Sequence, residues 1–206
     1  QTNPILSLGV PSEILKAVLF ETGLNYSFKP KGAIKFHTYR IGNRTAFEEQ
    51  IYESLSYLID FNNKVRIHFT ISEEHKNLFV EIADRTKLDM KYDYKLDLSF
   101  SFQKKSTDTI AVNENNEVLF DINNKLMLRP AGHGALLENL NDLNADIVII
   151  KNIDNLSTDK LFADTILYKK LLTGYLVKTQ KQIFDLLNSL DRKDFSKRSF
   201  DEMIKF

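Results

Sequence analysis

The sequence predicts an α/β fold, strands and helices alternating through crossovers, followed by a helical C-terminal region. Three observations predict it. Strand-like and helix-like patterns alternate from Ile34 to Ile82. From Tyr92 to Phe102 apolar residues recur at every second position. From Leu126 to Asn155 the chain reads as strand, glycine turn, amphipathic helix and a second strand ending beside an acid.

Taken in order, Gln1 to Gly9 shows no clear period. Pro11 and Ser12 open a helix to about Thr22, with Ile14, Leu15, Val18 and Leu19 on one face and Gly23 as its stop. Pro30-Lys31-Gly32 forms a turn: proline fixes the entry, glycine permits the bend, and Lys31 is held at its corner. By itself the tripeptide reads as an ordinary surface turn. Ile34 to Tyr39 is a short strand. Asn43 or Thr45 caps the next helix, which turns Phe47, Ile51, Leu55, Leu58 and Ile59 inward and ends near Asn62-Asn63. Val65 to Ile71 is a strand, and Ser72 begins a helix through Leu78, Phe79 and Ile82.

Between Tyr92 and Phe102, Tyr92, Tyr94, Leu96, Leu98, Phe100 and Phe102 alternate with polar residues, so this strand has one wet face. Ile110–Val112 and Val118–Phe120 are short strands around the turn Asn113–Asn116, and a second turn follows at Asp121–Asn124. Leu126–Leu128 is the next strand. Gly132-His133-Gly134 then lets the backbone approach a ligand, and Ala135, Leu136, Leu137, Leu140 and Leu143 follow at helical spacing. The β-branched run Ile147–Ile150 reads as a strand buried on both faces. Asn152, Asp154 and Asn155 lie just past its end, the edge at which open α/β sheets bind ligands. A glycine turn alone more often marks tight packing, and a lone acid after a strand is often a helix cap. Their combination in one unit of about thirty residues points to a ligand site. After Asn155 a long helical pattern runs from Leu161 to Leu190, capped by Thr158 or Asp159, with Gly174 as a place to kink. It reads as core or interface. No internal repeat is seen.

Composition bounds the function. With 28 basic and 28 acidic residues the formal charge is zero, which gives no general surface for nucleic acid or membrane. Without cysteine there are no disulfides, thiolate metal sites or cysteine nucleophiles. The absence of a membrane-length apolar run or a leader pattern predicts a cytoplasmic protein. The ends read as those of a piece of a longer chain: residues 1–155 form the α/β domain and 156–206 a helical extension. His68 and His75 match no common zinc spacing and read as structural; His37 reads as a surface imidazole, and Asp108 as a polar turn residue.

The ordered set Pro30-Lys31-Gly32, Arg44-Thr45-Ala46-Phe47, Phe69-Thr70-Ile71-Ser72-Glu73, Gln103, Arg129-Pro130-Ala131-Gly132-His133-Gly134 and Asn152-Ile153-Asp154-Asn155 resembles the UDP-sugar pyrophosphorylases. These are Rossmann-like nucleotidyltransferases that join UTP and a sugar 1-phosphate. The chain is more similar still to an uncharacterised bacterial family placed beside them, domain of unknown function 4301. The resemblance spans about Phe28 to Asn155 and rests on the set, not on any one tripeptide.

It implies a nucleotide-diphospho-sugar transferase type of mixed sheet. Lys31, as the catalytic residue, would contact phosphate oxygens. Gln103, Gly132, His133 and Gly134 would bind substrate, the amide and bare main chain receiving uracil while His133 shapes the turn, bonded to backbone. Asp154 would hold Mg²⁺ between the phosphates. UTP or a UDP-sugar, and a sugar phosphate, would be the partners. Two features depart from the pyrophosphorylase pattern. No glycine-rich loop lies between Gln1 and Lys29, and the later lysine of the sugar side is not assigned in the helical tail. A noncatalytic interaction module displaying the helical tail, and a glycosyltransferase-like binder of nucleotide sugars, remain alternative readings.

Overall fold

A computed structural model describes residues 11–40, 42–89, 95–192, 201 and 204. Gln1 to Gly9, with Tyr92 and Tyr94 of the expected long strand, lies outside the described residues. The chain divides into two compact units, Gln1–Leu156 and Ser157–Phe206. The first is mixed α/β, built from short helices and small sheets.

Helix α1 (Pro11–Leu19) is brought up short by Gly23. The chain doubles back there so closely that a Cβ on Gly23 would lie 1.9 Å from the Ala17 carbonyl oxygen. A one-turn 3₁₀ helix at Lys31–Ala33 leads into strand β1 (Lys35–Tyr39), which pairs antiparallel with β2 (Gly42–Thr45). The sequence reading missed this hairpin; its turn uses Gly42 at φ +136°, a conformation that favours glycine.

Helix α2 (Ala46–Ser54) is capped by Thr45, whose hydroxyl accepts from the Glu48 amide while Glu48 accepts from the Thr45 amide. This reciprocal box settles the choice between Asn43 and Thr45. The helix stops at Ser54, so Leu58 and Ile59 lie beyond it, in the turns before Asn63.

Strand β3 (Lys64–Ile71), helix α3 (Lys76–Asp89) and strand β4 (Lys95–Phe102) form a βαβ unit. The two strands pair in parallel from Lys64 opposite Lys95 to Ile71 opposite Phe102. Their alternation sends Ile67, Phe69, Leu96, Leu98 and Phe100 to one face, where Phe47 and Ile51 of α2 and Phe79, Ile82 and Ala83 of α3 close the core. Phe47 is fully buried, its ring 4.3 Å from that of Phe69 and 5.0 Å from that of Phe79. The opposite face is polar: Lys64 pairs with Asp97 at 2.8 Å, and both ring nitrogens of His68 reach serine hydroxyls, those of Ser99 and Ser101, at 2.8 Å.

Strands β5 (Thr109–Ile110) and β6 (Leu128–Arg129) pair antiparallel, and the chain between them contradicts the expectation of no repeat. Ala111, Leu119 and Met127, eight residues apart, close a ring of main-chain bonds: Leu119 N–H donates to Ala111, Met127 to Leu119 and Ala111 to Met127. The two intervening turns are built alike. Asn113 Oδ1 accepts from the amides of Asn115 and Glu117, as Asp121 Oδ1 does from Asn123 and Lys125. Asn116 and Asn124 both take positive φ. With only the turn chemistry kept, so short a period escaped the reading.

Two further expectations fail. The helix after the glycine turn begins as a 3₁₀ turn at His133–Leu136 and becomes α4 (Leu137–Asn141), short of Leu143. Ile147–Ile150 is not a strand buried on both faces: it joins no ladder, and its side chains alternate between half-buried and exposed. Among the described residues the strands form three separate two-stranded sheets.

In the second unit α5 (Asp159–Asp191) runs unbroken through Gly174. Leu161, Leu171, Leu172, Tyr175 and Phe184 along it are exposed. No described helix is long and apolar enough to cross a membrane.

Candidate functional site

Helix α2 is too polar in composition for its burial. Glu48, Glu49, Gln50, Glu53 and Ser54 are all buried in it. Buried charge must be paired or hydrogen-bonded, and each of these acids has a basic partner. Glu48 faces Arg85 at 3.2 Å. Glu49 lies 3.4 Å from His37 and 3.9 Å from Arg44, close enough for electrostatic attraction but without a hydrogen bond between Glu49 Oε1 and His37 Nδ1. Glu53 takes the Lys151 ammonium on both carboxylate oxygens at 2.8 Å. Gln50 donates its amide to the carbonyls of Asn152 and Ile153, both at 3.1 Å. His37 is therefore not the surface imidazole expected of it; it is largely buried against Glu49.

These bonds deliver the segment Lys151–Asp154 to the Pro30-Lys31-Gly32 turn. Gly32 is buried, and a Cβ on it would lie 3.0 Å from the Phe79 ring and 3.2 Å from the Ile153 side chain. A side chain there would have to push the Phe79 ring or Ile153 aside by a few tenths of an ångström, so glycine lets the two segments meet closely. The result is an ion pair across 123 residues of sequence, Lys31 Nζ donating to Asp154 Oδ2 at 2.6 Å. Both side chains are open to solvent. Asp154 is held below the ordinary aspartate range, first by this hydrogen bond from Lys31, then by its own backbone amide, with a smaller contribution from His133 nearby.

His133 therefore belongs to the same neighbourhood. Its imidazole is exposed and has no hydrogen-bond partner among the described residues, which corrects the expectation of a histidine bonded to backbone. Gly132 and Gly134 are exposed, neither has positive φ, and a Cβ on either would meet nothing within 4 Å. Neither backbone conformation nor packing calls for glycine at these two positions. Both leave open space beside main chain.

Gln103 stands apart. It follows β4 and donates to Asp108 at 3.4 Å, making no hydrogen bond to Lys31, Asp154 or the glycine turn. Asn139 of α4 anchors the glycine-turn region to the end of β4, donating to the Ser101 hydroxyl at 2.9 Å and the Phe102 carbonyl at 2.8 Å. The structure thus joins Lys31 to Asp154, with His133 near enough to act on Asp154 electrostatically, and leaves Gln103 at the end of β4.

Among the described residues no group of three or more His, Cys, Asp or Glu side chains could hold a metal alone. One carboxylate fits Mg²⁺ in another way. That ion keeps its waters and commonly binds through one or two carboxylates together with substrate phosphates.

Gln50, Glu53 and Lys151 were missed by the sequence reading. The signal available was Ala46–Ser54 itself, whose acids leave no clean polar face for a helix carrying Phe47 and Ile51 inward.

A family description covers nearly the whole of this arrangement. The chain belongs to the family called Domain of unknown function (DUF4301), which matches residues 6–206. No curated protein and no solved structure matches it.

Proposed function

We propose that the first unit is a nucleotidyltransferase domain of Rossmann-like ancestry that binds a uridine nucleotide with Mg²⁺ and transfers its uridylyl group to a sugar 1-phosphate. The observation that carries the reading is the Lys31–Asp154 pair: two residues singled out for different roles, far apart in sequence, meet at 2.6 Å.

The pair suits an exchange of partners. Without ligand, the Lys31 ammonium neutralises Asp154. A triphosphate offers Lys31 denser negative charge, which a compact ammonium on a flexible stem can follow. Asp154, ionised at neutral pH as an ordinary carboxylate is, is then free to hold the cation. Mg²⁺, when bound, neutralises phosphate charge and fixes the phosphates in place. The glycine turn offers bare main chain to the base, with Gln103 to be brought in from the β4 end. The reaction is in-line attack of a sugar phosphate oxygen on the α-phosphorus of UTP. The bond from that phosphorus to the β-phosphate oxygen breaks and pyrophosphate leaves. Positioning and charge neutralisation supply most of the rate.

Thermal stabilisation by UTP, UDP-N-acetylglucosamine, ATP and CTP, each with and without Mg²⁺, tests this, since a ligand of the folded state raises its stability by mass action. The expected result is a uridine-selective, Mg²⁺-dependent shift that Asp154→Asn abolishes. A shift unchanged in that variant, or equal for all bases, would overturn it. Release of UDP from a bound nucleotide sugar, in place of pyrophosphate from UTP, would move the assignment to a glycosyltransferase.

A second reading rests on α5. Its exposed apolar side chains, Leu161, Leu171, Leu172, Tyr175 and Phe184 among them, suit a helix that meets a protein partner. Light scattering on the 206-residue chain, repeated with Leu172→Glu, asks whether that face self-associates. A monomer in both would leave an unlike partner as the form of this reading.

A further inference from the structure

Asp154 lies on a segment without a ladder. From Leu143 to Leu156 the described chain belongs to no helix or strand. Its own main-chain bonds near the acid are those of one tight turn, Asn155 N–H to the Asn152 carbonyl and Leu156 N–H to the Asp154 carbonyl, each 3.1 Å. A carboxylate so weakly held by its own backbone must be aimed by something else.

Three contacts from outside converge on it. Glu53 grips Lys151, Gln50 spans the carbonyls of Asn152 and Ile153, and Ile153 packs on Gly32 beside Lys31. Gln50 bonds the residue next to Asp154, its amide nitrogen donating to the consecutive carbonyls of Asn152 and Ile153, each at 3.1 Å. The helix it stands on is rigid: capped at Thr45, filled into the core by Phe47 and Ile51, and pinned by the Arg44 guanidinium, which lies 4.3 Å from the Tyr39 ring and 3.8 Å from that of Tyr52. A side chain on such an element can fix a loop as firmly as a ladder would.

We infer that Gln50 is a positioning residue, which holds the turn Asn152–Asn155 so that Asp154 meets Lys31 and, on the uridylyltransferase reading on which this consequence rests, meets the metal–phosphate group. It touches neither ligand nor metal. Its effect travels through two main-chain carbonyls.

The test uses the whole 206-residue chain and two independent readouts. Gln50→Met keeps the length and removes both donors; Gln50→Asn keeps the amide but falls short of the second carbonyl, and serves if the first does not fold. In hydrogen exchange, the amides of Asn155 and Leu156 should exchange about tenfold faster, the loss expected for one typical hydrogen bond, while α3 and β3 keep their protection. Unchanged exchange at Asn155 and Leu156, or an equal rise throughout α3 and β3, would overturn the inference. In calorimetric titration with UTP, Gln50→Met should weaken binding about 10–100-fold when Mg²⁺ is present, as removal of outer-sphere support does, and much less when it is absent. Equal losses with and without Mg²⁺ would also overturn it. Should the unmodified chain bind no nucleotide, the uridylyltransferase reading falls and the exchange result alone decides the role of Gln50.

Discussion

Strands β3 and β4 and the segment around Asp154 are kept in place by opposite means. Between β3 and β4, main-chain pairing runs in unbroken register from Lys64 and Lys95 to Ile71 and Phe102, and the side chains are left to form the core. Between Leu143 and Leu156 the main chain joins no ladder, and buried side chains of α2 reach across to hold it. The first arrangement resists change at any single polar residue. The second concentrates its stability in a few polar groups and leaves the acid it carries open to solvent. On the proposed function, this leaves Asp154 able to exchange Lys31 for a cation.

The contrast can be broken from either side. The largest effect is expected in the core: Phe47→Ala removes a fully buried ring from among Phe69, Phe79 and Phe100, and should cost about 3–5 kcal/mol by urea denaturation. Lys151→Met should come close behind. It takes the ammonium away from the nearly fully buried Glu53 carboxylate, at a cost of up to about 3–5 kcal/mol for a buried pair broken on one side, less what the partial exposure of Lys151 returns. The double variant Glu53→Leu with Lys151→Met should recover most of that loss. A double variant as unstable as the single one would show that the ion pair is not what holds the segment.

The ladder's polar face gives a pH signature. Burial lowers the pKa of His68 below its ordinary value of 6.5. The unfolded chain therefore takes up the proton first, and stability is complete above about pH 6.5 and falls as pH drops through and below it. His68→Gln should flatten this part of the stability curve, read as urea midpoints at pH 7.5 and 5.5; a slope unchanged in that variant would assign it elsewhere. Smaller, and opposite in sign, are the glycine-turn variants. Gly132→Ala and Gly134→Ala should stabilise the chain by about 0.4–1 kcal/mol, since neither conformation nor space forbids a methyl group, while reducing the nucleotide-induced thermal shift. Loss of stability in either would mean that the glycines serve packing. Smallest of all, Ile150→Ala should change stability by less than about 0.5 kcal/mol because the side chain is 70% exposed.

That last residue shows where the sequence could be read and where it could not. Period-two alternation revealed the paired face of β4, and the spacing of Phe79 and Ile82 revealed the inner face of α3, because in both the partner surface is built from the same local pattern. Ile147–Ile150 has the composition of a buried strand, but a strand also needs a neighbour with free main-chain groups, and no local pattern reports that. Lys31, His133 and Asp154 could be picked out from turn chemistry and from resemblance. Gln50 and Glu53 could not, since a buried glutamine and a surface glutamine look alike until the carbonyls of Asn152 and Ile153 are seen beside them. The hairpin turn at Gly42 and the eight-residue repeat were visible as turn residues but not as architecture.

The span of the Lys31–Asp154 pair has a consequence in time. The ring of Ala111, Leu119 and Met127 closes over short loops, whereas Lys31 and Asp154 must find each other across 123 residues, and the entropy of closing a loop rises with its length. Local contacts form early and distant ones late. The ion pair should therefore be among the last contacts made as the chain folds and among the first to part as it opens, so that a partly folded chain, however much helix it shows, is without its site.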